Sequence, residues 1–580
     1  MPTGGRFAGG LIGGLMGGHS GGLSGGLSGG LCGGLTPGLC GGLIGHGGHT
    51  GGDSGGLCGG LCGGLCGGLW GGLCGGLCGE LIPGRHEPSP MSAMATAALA
   101  TSATPARNAR ITAGAARRTR RATTMCSPIS QTPVPPSWRR KVPAPRDGPN
   151  GQVSETRRLP SVLFGILVVG VVTVPCVFTT RYADAFVFPK LTFLWALSVV
   201  AALLLAVGMA AGVPTGGRLV WTPAVDVAAV GFLGLNLAAF WFSSDRHQSL
   251  FGERLQYQGL LTLLLYAAWF CFARHVCSTP RRLAQLHGAI VVGAALVASY
   301  ALVQKAGLDP IWNGVLPGGR VFSAVGQPNA LAAYLVLALA PAVFVARSSR
   351  GAMRIAAVAV AVEICVAIAY TNSRGGALGA VVVAALLGLG LVKNRRARAG
   401  LVATGVALAV AAVVLVPQVR DRIVSNRAEG QLSAENHFDS WYVAWHIAVD
   451  HPLVGTGQES FPDVFPAYSR DLLSPERVAY FDQYRVESPH NVFLGIGAST
   501  GFPALLAYLG VIVGTIVLGL RARACSATPN GRLALEAAVV AIVGHLVTDC
   551  FVSAEITSTW LFWVLMGAVV GTISARTGTG

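Results

Sequence analysis

The stretch IAAVAVAVEICVAIAYTNSRGGALGAVVVAALLGLGLV, residues 355–392, decides the fold. Residues 355–371 carry a single charge, Glu363, and residues 376–392 carry none. Each run is long enough to cross a bilayer as a helix. Only Asn372, Ser373, Arg374 and Gly375 separate them, so the chain leaves the membrane and re-enters it at once. Arg374 is therefore expected at a bilayer face, in a hairpin too short to be a linker alone.

Working outward, similar runs recur near 161–180, 191–212, 224–243, 257–273, 284–303, 329–346, 400–417, 491–519, 534–552 and 556–574. With the opening pair, this predicts about twelve transmembrane helices. The composition agrees: of 580 residues 52% are hydrophobic and only 12% charged, with a mean hydropathy of +0.56. A soluble domain carries about 25% charged residues, so a soluble globular fold is excluded. The net charge of +17 would suit nucleic acid, but the apolar content argues against that partner. A membrane protein concentrates basic residues on its cytoplasmic side. The even-numbered loops hold Arg218, Arg274, Arg281, Arg282, Arg347, Arg350, Arg354, Lys393, Arg395, Arg396, Arg398, Arg521, Arg523 and Arg532. The short odd-numbered loops hold half as many, so both termini are expected in the cytoplasm.

Two regions depart from this pattern. Residues 1–80 hold 37 of the 81 glycines and 7 of the 14 cysteines, in an approximate Gly-Gly-Leu-X repeat. Glycine so dense opposes helix formation, and leucine every fourth residue buries little. Residues 1–90 read as a low-complexity leader, and starts at Met91, Met94 or Met125 would leave it untranslated. Residues 91–158 are basic, with a cluster at Arg117, Arg118, Arg120 and Arg121, and read as a disordered cytoplasmic tail; an organelle transit peptide is the other reading. The second departure is the ninth loop, residues 418–489, an outer insertion with 6 basic and 11 acidic residues. In it, Ser440–Val449 reads as an amphipathic helix ended by Asp450-His451-Pro452, and Pro462, Pro466, Pro475 and Pro489 break up the remainder of the loop. A loop this long is usually functional.

Two outer-face segments can carry chemistry. Arginine at Arg374 suits a diphosphate, because it is always charged and its fork takes two oxygens. The alternative is an interfacial anchor. His490, in Ser488-Pro489-His490-Asn491 at the mouth of the tenth span, can take a proton from a hydroxyl. The segment Thr500-Gly501-Phe502-Pro503-Ala504, further along that span, suggests a kink. Within the spans, Glu363 and the pair His545 and Asp549, four apart on one helical face, are buried-charge candidates. No nucleotide-binding loop is visible and no residues have metal spacing. Cys176, Cys271, Cys277, Cys365 and Cys550 read as small packing residues.

Together these segments resemble the O-antigen ligase/polymerase family of bacterial membrane glycosyltransferases. The carrying residues are Ser373-Arg374-Gly375, Trp445 with Asp450-His451-Pro452-Leu453-Val454-Gly455-Thr456-Gly457, and His490-Asn491 followed after nine residues by Gly501-Phe502-Pro503. Phe188-Pro189-Lys190, Phe251-Gly252-Glu253-Arg254 and Arg320-Val321-Phe322-Ser323 add to it. Ala504 departs from the family's ligase signature, which has Gly, Thr or Tyr there. The resemblance covers roughly residues 159–575. It implies transfer of a glycan from undecaprenyl diphosphate to an acceptor hydroxyl at the periplasmic face of the bacterial inner membrane, without metal or cofactor. His490 would be the base and Arg374 the diphosphate holder, with Arg320, Arg254 and Asn491 as further diphosphate contacts. The acceptor is left open between lipid A core, another glycan and a protein hydroxyl, with ligase-type transfer favoured. The alternative from another class is a twelve-helix secondary transporter. Against it, no second copy of either segment exists, and the long loop follows span nine rather than span six.

Overall fold

The computed structural model describes residues 158–391 and 427–577 apart from Asn313 and Tyr484, all within the unit Thr123–Gly580. The leader, the basic tail up to residue 157 and the expected span 400–417 lie outside the described residues.

The described chain is helical. Its helices are α1 Leu159–Thr173, α2 Val187–Ala210, α3 Pro223–Phe242, α4 Arg246–Phe251, α5 Leu260–Val276, α6 Pro280–Lys305, α7 Pro328–Ser348, α8 Gly351–Thr371 and α9 Arg374–Leu391. After residue 426 come α10 Arg427–Asp450, α11 Phe461–Leu472, α12 Pro475–Phe481, α13 Val492–Ala524, α14 Pro529–Asp549 and α15 Ile556–Thr577. Eleven of the twelve expected spans coincide with a helix. Among the described residues, nine helices are long and apolar enough to cross a membrane, and α5 and α9 are shorter apolar helices. The protein is an all-α polytopic membrane protein.

The helices differ in how far they are enclosed. α7 and α15 are almost entirely buried, whereas α2 and α8 bury few residues. α7 packs against α6, α8, α9 and α14, and α15 lies along α5. The outer helices instead expose large apolar side chains such as Leu203, Val207, Val227, Val230, Ile355 and Val362. Exposed apolar side chains on spanning helices are what lipid contact requires, since water is absent there. Polar groups turn inward and pair. Arg274 of α5, expected in a loop, lies inside the helix, buried against Asp226 of α3. Glu363, by contrast, is half-buried and makes an exposed pair, accepting from the Ser299 hydroxyl at 2.5 Å. His545 and Asp549 form the expected pair, 3.3 Å apart and buried. Two cysteines differ from the packing role expected of them: Cys271 and Cys365 are exposed on their helices.

The odd-numbered loops meet at one end of the bundle. The Val321 amide donates to the Tyr370 carbonyl at 3.2 Å, and Lys190 Nζ donates to the Ala324 carbonyl at 2.8 Å. At this end the amphipathic helix expected over 440–449 is longer, beginning at Arg427, and ends at Asp450 as expected. Two of the four prolines expected to break up the loop start helices instead, while Pro489 lies in the non-helical stretch before α13. Pro462 and Pro475 occupy first turns, where the missing amide costs nothing, and Pro466 sits inside α11.

Candidate active site

The scaffold of the site is a break in α13. Gly501 has φ 82° and ψ 168°, in the left-handed half of the map that glycine tolerates. The break frees backbone groups, and the loop after α10 satisfies them. The Thr456 and Gly457 amides donate to the Ala498 and Ser499 carbonyls at 3.1 and 2.9 Å, and the Phe502 amide donates to the Pro452 carbonyl at 2.8 Å. The approach is close enough that only glycine fits. A Cβ on Gly455 would lie 2.2 Å from the Ser499 backbone, and one on Gly501 2.5 Å from that of Leu453. The Asp450–Gly457 segment and the Gly501-Phe502-Pro503 kink are thus two halves of one joint. That joint aligns the first turns of α13, whose start carries His490.

His490 has φ 50° and is half-buried. Its Nδ1 shares a 3.2 Å hydrogen bond with the Ser553 hydroxyl, which is in turn hydrogen-bonded to that of Ser488. His437 of α10 lies edge-on to it, ring centroids 5.3 Å apart. Burial, aided by His437, pulls the His490 pKa down to about 4. The ring is therefore neutral at neutral pH, with the lone pair a base needs.

Arg374 opens α9 and is exposed. Behind it, Gly375 lies under Phe551, whose ring would be 3.1 Å from a Cβ there. Phe551 contacts Trp441 at 5.9 Å, and Trp441 lies one turn from His437 on α10. Burial lowers the His437 pKa, and the charge of Arg374 lowers it further. The two residues singled out from sequence thus share a neighbour in His437. Two buried nitrogens here, His437 Nδ1 and Trp441 Nε1, have no hydrogen-bond partner.

Arg320 joins the same corner. Its Nε donates to the Thr371 carbonyl at 2.9 Å, three residues before Arg374, and its Nη2 to Asn329 Oδ1 at 2.8 Å. Arg254 is exposed on the loop after α4. That loop is tied to the approach to His490 through Glu253–Arg485 at 3.1 Å and Gln256–Glu487 at 3.2 Å, so Arg254 is not brought to the Arg374 corner by any of these contacts. Asn491 caps α13, its Oδ1 accepting from the Phe493 and Leu494 amides at 3.0 and 3.1 Å. That oxygen is occupied by the helix terminus.

Sequence reasoning missed His437, Trp441, Phe551 and Ser553. Starting the α10 helix at Ser440 left His437 one turn outside it, although His437, Trp441 and Trp445 are each four apart, a helical spacing. Phe551 and Ser553 come after α14 with no local pattern to mark them.

The fold and this corner define a multi-pass membrane protein with a basic and histidine-containing site at one bundle end. Residues 359–509 match the family model described as O-antigen ligase, so over that stretch the chain is similar to the O-antigen ligase family. The matched segment runs from α8 through Arg374 and the α10–α13 joint to beyond the kink, so it holds Arg374, His437 and His490 together. The family points to a glycosyltransferase-like enzyme of the ligase/polymerase kind, acting on lipid-linked glycan and acceptor substrates. Among curated proteins, none matches the chain.

Proposed function

We propose that the protein transfers a glycan from undecaprenyl diphosphate to an acceptor hydroxyl at the extracytoplasmic face of the bacterial inner membrane, as an O-antigen ligase does. The observation that carries this is the sharing of His437 between Arg374 and His490. A cation suited to a leaving diphosphate and a neutral base thus both bear on one residue.

In the proposed reaction the acceptor oxygen bonds to the anomeric carbon of the glycan. The bond from that carbon to the diphosphate oxygen breaks, and its electron pair leaves with the diphosphate. The acceptor's proton passes to His490. Arg374, with Arg320 beside it, holds the charge that develops on the leaving group, an effect that is large where water is excluded. Trp441 Nε1–H is an unused donor for the same oxygens. Diphosphate bound nearby raises the proton affinity of His490 as the reaction needs it, because an anion favours the imidazolium.

The test is complementation of a bacterium lacking its own O-antigen ligase. Wild type, Arg374→Ala and His490→Ala are compared at matched membrane abundance by lipopolysaccharide ladders. A ladder from wild type alone is expected. A ladder that survives both substitutions overturns the mechanism, and a native glycan cluster in place of the host's tests polymerase and protein acceptors.

A further inference from the structure

Beside His490 the bundle end opens into a cavity of ≈ 900 Å³, its solvent-filled mouth included. Its floor is aromatic, with Phe232 and Trp563 stacked at 6.2 Å and Tyr508 against both. Ser488 and Ser553, the hydroxyls linked to His490, are in its wall. His490 therefore adjoins the basic corner through His437 and this cavity through its serines.

Two acceptors of the polar wall lack donors. Gln458 is 7% exposed, and its Nε2 donates to Asn236 Oδ1 at 2.6 Å. Its Oε1 is buried without a partner, and so is Glu459 Oε2 in the next residue. Both residues are held from behind: Ser249 Oγ donates to the Gln458 carbonyl at 3.1 Å and Gln248 Nε2 to that of Glu459 at 2.6 Å. Two fixed acceptors lacking donors are costly in the empty protein and match a ligand rich in hydroxyls.

Charge narrows the class. Glu459 and Glu487 line the cavity, and no lysine, arginine or histidine does among the described residues. Diphosphate or an acidic sugar would be repelled. Burial, with Glu253 and Glu487 nearby, pushes Glu459 up to about 7. Either form of that carboxyl suits a hydroxyl, since the carboxylate accepts from it and the acid donates to it.

We propose that this cavity seats the terminal sugar of the acceptor as a neutral pyranose, its ring against the aromatic floor and its hydroxyls on Gln458 Oε1 and Glu459 Oε2. The proposal rests on the glycosyl-transfer reading for the word acceptor. The acceptor hydroxyl then reaches His490 from the serine side, and the diphosphate from the arginine side. Gln458 and Glu459 are binding residues in this scheme and take no part in bond making.

The test uses the full chain in lipid nanodiscs and saturation-transfer NMR. The probes are the methyl glycosides of glucose, galactose, mannose, rhamnose and N-acetylglucosamine, with methyl glucuronide for comparison. At least one neutral glycoside should receive saturation, and the acidic sugar should not compete with it. Gln458→Leu and Glu459→Leu should each weaken it about tenfold, while Glu459→Gln, which keeps an acceptor, stays within about threefold. Arg374→Ala should leave sugar binding intact and abolish phosphorus line broadening of added pyrophosphate. No response from any neutral glycoside, binding unchanged in both leucine variants, or displacement of the sugar by pyrophosphate overturns the assignment. Sugar binding as described in a chain that transfers no glycan in any host overturns the function proposed above and leaves the cavity a neutral-sugar site.

Discussion

His437 faces His490, its ring 5.3 Å from that of His490 at 77°, and the Arg374 charge bears on it. The His490 pKa of about 4 is set first by burial and then by His437. Only neutral His490 can accept a proton, so activity should be lost as pH falls through that pKa. His437→Phe keeps the ring packing and removes its charge. The acid limb of kcat/KM should then move to higher pH, because one of the two influences holding the His490 pKa down is gone. Initial rates across a pH series on purified protein check this, and a limb that stays in place refutes the coupling. His490→Ala should lower the rate by about 10² to 10⁴, the range for loss of a general base.

Arg374 should be intolerant of lysine. A bidentate guanidinium matches diphosphate oxygens in a way a point ammonium does not. Arg374→Ala should cost about 10² to 10³ in kcat, the scale of losing one stabilising contact to developing charge, and Arg374→Lys should recover only part of it. Arg320 holds the Thr371 carbonyl, so Arg320→Ala should also lower thermal stability. Turnover and melting temperature measured on the same preparation check this. A melting temperature unchanged in Arg320→Ala contradicts the structural share of that contact.

The α10–α13 joint makes a sharper stability statement. Gly455 and Gly501 both have positive φ, 64° and 82°, and a Cβ on either meets backbone rather than a movable side chain. Gly455→Ala and Gly501→Ala should each destabilise by about 1–3 kcal/mol from backbone strain alone, with the steric conflict added, and both should abolish transfer by misplacing His490. Gly165 of α1 has nothing within 4 Å of its would-be Cβ. Gly165→Ala should be neutral or stabilise by about 0.5–1 kcal/mol through helix propensity. Fluorescence-detected thermal melts of the three variants check the contrast.

The bundle was legible in the sequence because a spanning helix needs a long apolar run, and such a run is local. The expected 376–392 run is α9, Arg374–Leu391, with its start moved by one half-turn. Arg374 and His490 were legible as residue types at helix mouths. The contacts that join them were not. His437 reaches His490 across 53 positions of sequence, and Ser553 across 63. Contacts of that separation leave no periodicity. Gln458 and Glu459 look like ordinary loop residues until the fold buries their oxygens beside a cavity. Arg274 was misread as a loop charge because its partner Asp226 lies 48 residues away and the sequence alone does not pair them.

That Asp226–Arg274 pair gives a test independent of any substrate. Both side chains are buried, at 9% and 8% exposure. The guanidinium also donates to Thr222 Oγ1 at 3.1 Å and to the Val220 carbonyl, binding α5 to the start of α3. Removing one partner strands a charge away from water, which typically costs about 3–5 kcal/mol, whereas replacing both by apolar residues of similar volume is often neutral. Asp226→Leu and Arg274→Met should each lower the melting temperature and the yield of folded protein in the membrane. The double variant should recover most of the loss, since neither charge then remains uncompensated. A double variant as unstable as the sum of the singles would show that the hydrogen bonds to Thr222 and Val220, rather than the charge pairing, hold this end of the bundle together.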